Sequence, residues 1–412
     1  MDLIRIDDFN AAIDPETNFW AVFDQEEIPE EIRRFFERNR ESLSEKMKKY
    51  RFEVDFNTAY INPTERCNAS CPYCYIPPEV RKRGNEMDYQ ILRDVLERVE
   101  TIGVKNVIFH GAEPLIVKKS IFRAIDEFDY NFGIQTNGIL LEKEDADFLI
   151  EREVNIGLSF DSPYEKTDDL LRGKGHFKKI ADLLEFFNGY GRLNIITTIN
   201  RHNYSHLPEM IDFLAGRVSL VLMNPVRGTS RGGRNLRPDP VEVSKYFIEA
   251  VERAINHTKS GRRIVIGDFA NIMLGIVAPY SRILQCDISP CGAGRRFISI
   301  CPDGIYPCGE FIGMSELRLQ LSEIENVAEA FRSVRERVVE KIKECRDCSF
   351  KNICGNPCPA EIYSEHGTMY EKSYYCEFYK NMIRHAFRVI AKGDAEHVVK
   401  LKSLKKIYEI AV

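Results

Sequence analysis

The chain has 412 residues, 44% hydrophobic and 29% charged, with a formal net charge of -5 at pH 7. That profile fits a globular chain of two or three domains, and its mild acidity argues against a general affinity for nucleic acid or anionic membranes. No apolar run is long enough for a membrane helix, the acidic start MDLIRIDDFN lacks a signal-peptide pattern, and the expected location is cytoplasmic.

Residues 1–52 read as an accessory segment. A strand is predicted over 18–23. Pro29-Glu30-Glu31 opens a helix running to about Lys49, with proline in its first turn. That helix is either a substrate-recognition arm or, more simply, a packing helix. From residue 53 strands and helices alternate. Strands are predicted over 56–61, 106–110, 132–135, 155–160, 193–199 and 218–223. Helices are predicted over 89–101, 120–128, 144–151, 177–188 and 206–215. Such alternation argues for parallel βαβ units. Six units suggest a partial (β/α)6 TIM-like barrel over 53–237, whose functional residues would sit at the C-terminal strand ends.

Several unusual residues fall at those ends. Cys67, Cys71 and Cys74 follow the first strand at a C-x3-C-x2-C spacing. Thiolates are the usual ligands of iron–sulfur clusters. Three ligands leave one iron of a four-iron cube open, as in sites that bind substrate. A zinc knuckle is the other reading, although zinc usually takes paired C-x2-C or Cys/His sets. His110-Gly111-Ala112-Glu113-Pro114 closes the second strand. Its glycine permits close backbone approach, and Glu113 offers a carboxylate to an ammonium group. Alone it is a turn signal. Gln135-Thr136-Asn137-Gly138 ends the third strand and carries an Asn-Gly turn. Ser159-Phe160-Asp161 ends the fourth, and Arg172 follows. Serine can donate to a hydroxyl or carboxylate, and arginine clamps carboxylates bidentately. Asp161 reads as a cap for the next loop. After Asn224-Pro225 comes an Arg/Gly stretch with Arg227, Arg231, Arg234 and Arg237. It is either a solvated loop or a lid over an acidic or extended substrate.

Pro238-Asp239-Pro240 breaks the chain, and a helix over 241–259 leads through a connector, 238–283, into a cysteine-dense region. Twelve cysteines in a cytosolic chain point to metal rather than disulfides. Cys286, Cys291, Cys301 and Cys308 come first, then Cys345-x2-Cys348-x5-Cys354-x3-Cys358, then Cys376. A zinc ribbon would use four of these and leave the others unexplained. Residues 377–412 read as helical. The basic run from Lys400 to Lys406 suits a docking tail with a solvated face.

The C-x3-C-x2-C loop, with Tyr73 just before its last cysteine and Gly111 to Pro114 closing the next strand, resembles the radical S-adenosylmethionine (SAM) superfamily. The C-terminal cysteine pattern resembles the SPASM domain, an extension with two auxiliary iron–sulfur clusters. The resemblance covers about residues 53–380, with 284–380 as the SPASM domain and 381–412 as a helical tail. It implies three [4Fe-4S] clusters and SAM. Cys67, Cys71 and Cys74 would hold the cluster whose open iron chelates SAM. Tyr73, Gly111, Ala112, Glu113, Pro114, Asn137, Ser159 and Arg172 would line the SAM site. Ala112 replaces the second glycine of the family's GGEP motif, a change tolerated where φ is negative. Cys286, Cys291, Cys308 and Cys358 would hold one auxiliary cluster, and Cys345, Cys348, Cys354 and Cys376 the other. Cys301 is left over and is expected to be buried and inert.

The implied activity is maturation of a ribosomally made peptide or protein. SAM would be cleaved to a 5′-deoxyadenosyl radical, supported by an electron donor such as ferredoxin or flavodoxin. A thioether or carbon–carbon crosslink is the first expectation. Formylglycine formation is the second, for which related enzymes place an Asp after the cysteine corresponding to Cys308. Gly309 stands there instead. Glu310 follows and is the candidate catalytic base. In an extended segment it would face the other way, but the Gly304-x3-Cys308 spacing, one residue shorter than the family's, allows a bend there. An iron–sulfur electron carrier is a third reading, but it leaves Gly111–Pro114, Ser159 and Arg172 without a task.

Overall fold

A computed structural model describes residues 1–282, 285–286 and 288–400. The expected basic run from Lys400 to Lys406 lies outside them apart from its first residue. The chain begins with a three-stranded antiparallel sheet, β1 (Asp2–Ile6), β2 (Phe9–Ile13) and β3 (Trp20–Phe23), and a long helix, α1 (Glu30–Phe52). Only β3 and α1 were expected. The short strands β1 and β2 carry too little alternation to be read from sequence.

The parallel units follow: β4 (Thr58–Ile61), α2 (Pro78–Arg83), α3 (Tyr89–Thr101), β5 (Asn106–Phe109), α4 (Lys118–Glu127), β6 (Asn131–Thr136), α5 (Lys143–Glu151), β7 (Asn155–Ser159), α6 (Glu165–Arg172), α7 (His176–Phe186), β8 (Leu193–Ile199), α8 (Leu207–Leu214) and β9 (Leu220–Pro225). Strands β4 to β9 are parallel and lie in chain order. Period two explains their packing. In β8 the residues Leu193, Ile195, Thr197 and Ile199 are buried against the helices, while Asn194, Ile196 and Thr198 face the barrel interior. The helices answer with apolar stripes, such as Leu92, Val95, Leu96 and Val99 on α3, whose N-terminus Asp88 caps by accepting from Ile91 N at 2.8 Å.

The sheet continues beyond the six expected strands. After α9 (Arg231–Leu236) and α10 (Pro240–Lys259), β10 (Val265–Ile266) pairs parallel to β9 and leads into α11 (Gly267–Val277). At the other edge β11 (Phe297–Cys301) pairs parallel to β4, and β12 (Gly304–Tyr306) pairs antiparallel to β11. The sheet thus has nine strands, and the boundary drawn at residue 284 does not separate two sheets. Later helices include Pro359–His366 and Cys376–Ala391.

The first 52 residues are tied into the C-terminal half. Asn18 Nδ2 donates to Asn352 O at 3.0 Å, and Asn352 Nδ2 donates to Pro15 O at 2.8 Å. Arg51 pairs with Glu340 at 2.9 Å and Lys351 with Glu16 at 2.5 Å. Part of the Arg/Gly stretch is helical, Arg231–Leu236, with Arg231 and Arg234 exposed and Arg227 on the cavity wall. A Cβ on Gly232 would lie 2.0 Å from the Pro72 carbonyl oxygen, and one on Gly233 would lie 2.1 Å from Arg227 O. Gly232 is pressed onto the cysteine loop and Gly233 onto the stretch's own backbone, which is why glycines stand there. Arg237 is buried and pairs with Glu361 at 2.9 Å and Glu365 at 2.7 Å. Glu361 also accepts from Gly228 N at 2.6 Å and stands 3.8 Å from Arg227.

Truncating one partner of a buried ion pair leaves the other charge uncompensated, at a cost of about 3–5 kcal/mol. Glu361→Ala is therefore expected to lower the unfolding free energy by about that amount. Urea denaturation checks this, and an unchanged midpoint would contradict the role given to Glu361.

Candidate active site

A cavity of about 1070 Å³ runs through the barrel interior and is lined from strand starts such as Asn106 and Asn131 to strand ends such as His110 and Ser159. Gly133 and Gly157 keep the inner wall thin: a Cβ on Gly157 would meet Ile196 Cδ1 at 2.7 Å. The cavity is lined by Cys67, Cys71 and Cys74, and also by Cys286, Cys291, Cys308 and Cys358. Residues far apart in sequence therefore share one space.

The cysteines fall into three groups. The strongest electrostatic neighbours of Cys67 among the cysteines are Cys71 and Cys74. Cys308 faces Cys358, Cys291 and Cys286. Cys354 faces Cys376, Cys345 and Cys348. Cys301 is buried as well, accepting from Asn62 Nδ2 at 3.4 Å and packed in one apolar cluster with Cys291. Burial pushes the Cys67 and Cys345 thiols up to about 11 and Cys358 to about 12. Cysteines this buried and this crowded stay protonated unless iron takes the place of their protons. Among the described residues, no three His, Cys, Asp or Glu side chains converge tightly enough for a single metal ion. A four-iron cube, whose thiolate ligands stand at its corners, needs no such convergence. The all-thiolate donor chemistry of these groups is that of iron–sulfur ligation.

Of the eight residues expected at the SAM site, Tyr73, Gly111, Ala112, Asn137, Ser159 and Arg172 line the cavity. Gly111 has φ +112°, and a Cβ there would strike the Asn62 side chain at 2.3 Å. Ala112 is not among the residues with positive φ, as its substitution requires. Asn137 Nδ2 donates to Asn68 Oδ1 at 2.8 Å and stands 4.0 Å from Cys67 Sγ.

Glu113 and Pro114 are not among the lining residues. Glu113 is fully buried and accepts from Thr136 Oγ1 at 2.7 Å, Asn137 N at 2.9 Å and Leu115 N at 3.1 Å. These bonds fix the strand end that carries Asn137. Arg172 also differs from expectation. Its fork is already occupied, with Nε at 2.7 Å and Nη2 at 3.1 Å from the two oxygens of Asp161. Nη1 is left beside Cys71 Sγ at 4.0 Å. Asp161 also accepts from the Tyr73 hydroxyl and from Thr198 N. Behind it, Asp168 accepts from Asp161 N at 2.9 Å and lies 2.5 Å from His176 Nδ1, while His176 Nε2 contacts Asn137 O at 3.0 Å. Asp161, Asp168 and His176 were not expected at the site. Their signal was the density of polar residues between Ser159 and His176.

Glu310 departs from the extended geometry. Gly309–Phe311 forms a 3-10 turn, which bends the Glu310 side chain into the cavity. It accepts from Thr229 Oγ1 at 3.0 Å, and burial raises its carboxyl to about 7 against the pull of Arg227. Two further residues face the same space. Tyr75 Oη lies 2.9 Å from His110 Nε2, and the two rings stack. Burial lowers the His110 imidazole to about 4. Both stand next to motif residues, the one clue to them in the sequence.

The model of the radical SAM superfamily matches residues 61–214. A protein of Archaeoglobus fulgidus, carrying the name uncharacterized protein, is 58% identical over 96% of each chain. The chain belongs to the radical SAM superfamily. Among radical SAM proteins it is 25% identical to the cysteine-type anaerobic sulfatase-maturating enzyme of Clostridium perfringens, across 78% of this chain and 93% of that one. Its fold matches a solved structure titled native anSMEcpe with bound AdoMet and Kp18Cys peptide, with a TM-score of 0.69 and 20% identity. That match covers 82% of this chain and 99% of the other. The radical SAM fold is thus shared over the matched span, including a mostly parallel α/β sheet.

Because Asp161 holds both Arg172 and Tyr73, Asp161→Asn should weaken SAM binding by about 1.5–3 kcal/mol, the worth of a charge-assisted contact. Arg172→Ala should do the same, with iron content unchanged in both. Calorimetric titration of SAM is the measurement, and unchanged affinity in both variants would contradict this reading of the site.

Proposed function

We propose that the chain is a radical SAM maturase that abstracts hydrogen from a ribosomally made peptide and forms a thioether or carbon–carbon crosslink. Cys67, Cys71 and Cys74 hold the SAM-binding cluster. Cys286, Cys291, Cys308 and Cys358 hold one auxiliary [4Fe-4S] cluster, and Cys345, Cys348, Cys354 and Cys376 the other. The observation that carries this reading is the shared cavity, in which the three-cysteine loop and the first auxiliary group face one space of about 1070 Å³. That is room for a cofactor and a peptide segment together.

When bound, the SAM-binding cluster and SAM supply a 5′-deoxyadenosyl radical by one-electron cleavage of the S–C5′ bond. The chain's own residues bind, orient and exclude water. Arg172 Nη1 and the Ser159 hydroxyl offer donors to SAM's carboxylate and ribose. Tyr73 packs with Leu171 and Val226 beneath the cysteine loop and keeps that side dry. Gly309 leaves the wall beside the first auxiliary group open, so a substrate side chain can approach it.

A second reading is formylglycine formation, favoured by the bend that brings Glu310 into the cavity and by the sulfatase-maturating relative. Here the Glu310 carboxylate would receive the proton of a substrate thiol or hydroxyl, in place of the side chain that Gly309 lacks.

Anaerobic reconstitution is expected to give about three four-iron clusters. Replacing Cys67, Cys71 and Cys74 with Ala should remove about one of them and all SAM cleavage. Retained 5′-deoxyadenosine production would sink the assignment. Cys301→Ser should keep full iron content, whereas Cys308→Ser and Cys358→Ser should impair the same cluster. Equal iron loss in all three would show that Cys301 is a ligand.

The two readings part on a peptide containing Cys-x-Pro-x-Arg. The crosslinking reading expects SAM cleavage without formylglycine in the mass spectrum of that peptide. A formylglycine product that disappears in Glu310→Gln would establish the second reading instead.

A further inference from the structure

Arg337 is one of the largest fully buried side chains in the molecule. Several buried guanidinium groups here face carboxylates, Arg51 with Glu340, Arg172 with Asp161 and Arg237 with Glu361, whereas Arg295, equally buried, donates to Tyr50 O, Glu53 O and Gln285 Oε1. Among the described residues Arg337 forms no ion pair. Its three nitrogens donate instead to backbone carbonyls: Nε to Met369 O at 3.1 Å, Nη1 to Gly355 O at 2.9 Å and Nη2 to Asn356 O at 2.6 Å. Gly355 and Asn356 lie on the short link from Cys354 to Cys358, which are members of different auxiliary groups. The strongest electrostatic partners of Arg337 are Cys291 and Cys358 from one group and Cys345 and Cys354 from the other. A buried, uncompensated cation is costly. Neutral thiols do little to offset it, whereas thiolates bound to iron would.

We propose that Arg337 is the shared counter-charge of the two auxiliary cluster sites, held between them so that it favours the reduced state of both. The proposal rests on the assignment of those eight cysteines to two clusters. Each cluster gains one negative charge on taking up one electron, and hydrogen bonds and net charge around a cluster set its potential. A fixed cation nearby stabilises the more negative state, so it raises the midpoint of each cluster. The effect is strong because the site is buried and poorly screened. The fork also fixes the link that carries Cys354 and Cys358, so that one side chain addresses both groups. Lysine could not do this, because its point charge lacks the planar set of donors that reaches three carbonyls.

The test is a reductive titration of the reconstituted full chain, followed by EPR, together with iron analysis. In Arg337→Gln both auxiliary midpoints are expected to fall by a tenfold or greater change in the reduction equilibrium, about 59 mV for one electron. The midpoint of the Cys67–Cys71–Cys74 cluster should stay in place. Full iron content with both auxiliary midpoints unmoved overturns the proposal, and so does a shift confined to one of them. Should the glutamine variant fail to load iron, Arg337→Lys is titrated across about pH 7 to 10, where burial makes a lysine lose its charge. Its auxiliary midpoints should then fall with rising pH while those of the unsubstituted chain stay level. A level profile in the lysine variant overturns the proposal. Fewer than about eight auxiliary irons in the unsubstituted chain would overturn the cluster assignment itself, an outcome separate from unmoved potentials in loaded protein.

Discussion

A single buried carboxylate, Asp161, gathers the parts of the site. Its two oxygens take the fork of Arg172 from α6, the hydroxyl of Tyr73 from the cysteine loop and the amide of Thr198 from β8. Its backbone oxygen accepts from Asn203, and its amide donates to Asp168. Two elements and two loops are thus registered against one residue just past the end of β7. The geometry also explains why Arg172 is an anchor first and a donor second. A guanidinium whose planar fork is satisfied cannot swing, so its remaining nitrogen points in a fixed direction, beside Cys71.

The same economy holds around Glu113. A charged residue placed in a glycine-rich strand-end motif reads as a ligand contact, because motif and charge are what a sequence displays. Burial and hydrogen bonding turn it inwards, where it satisfies the otherwise unpaired donors Leu115 N and Asn137 N. The residue that touches the cavity is then Asn137, held from below by Glu113 and from the side by His176.

Much of the architecture was legible in the sequence because each parallel unit announces itself through period. Strand residues alternate, helices repeat at three and four, and the cysteine loop, Asn137 and Ser159 all fall where a strand ends. What escaped were features with no periodic signature. β10 has two residues and β12 has three, too few to alternate. β11 pairs with β4 across more than half of the chain. The glycines of the Arg/Gly stretch have no period either; they are there because the Pro72 carbonyl and Arg227 carbonyl leave no room for a side chain. Glu310 escapes the alternation argument for a related reason. An alternation argument presumes an extended backbone, and the 3-10 turn after Cys308 removes that premise.

The pairing of β11 with β4 has a consequence for how the chain is made. β4 is among the first strands of its sheet to leave the ribosome, and β5 reaches it within one helical crossover. Its other edge receives no partner until β11 has been synthesised, after all of β5 to β10. Through most of translation the nascent sheet therefore carries an open row of amide and carbonyl groups, the kind of edge that recruits foreign strands. The cysteine-dense half closes that edge. Its arrival is a folding event for the barrel, and a chain halted before residue 297 would leave the outer edge of β4 unpaired, where the finished sheet continues to β11 and ends on the three residues of β12.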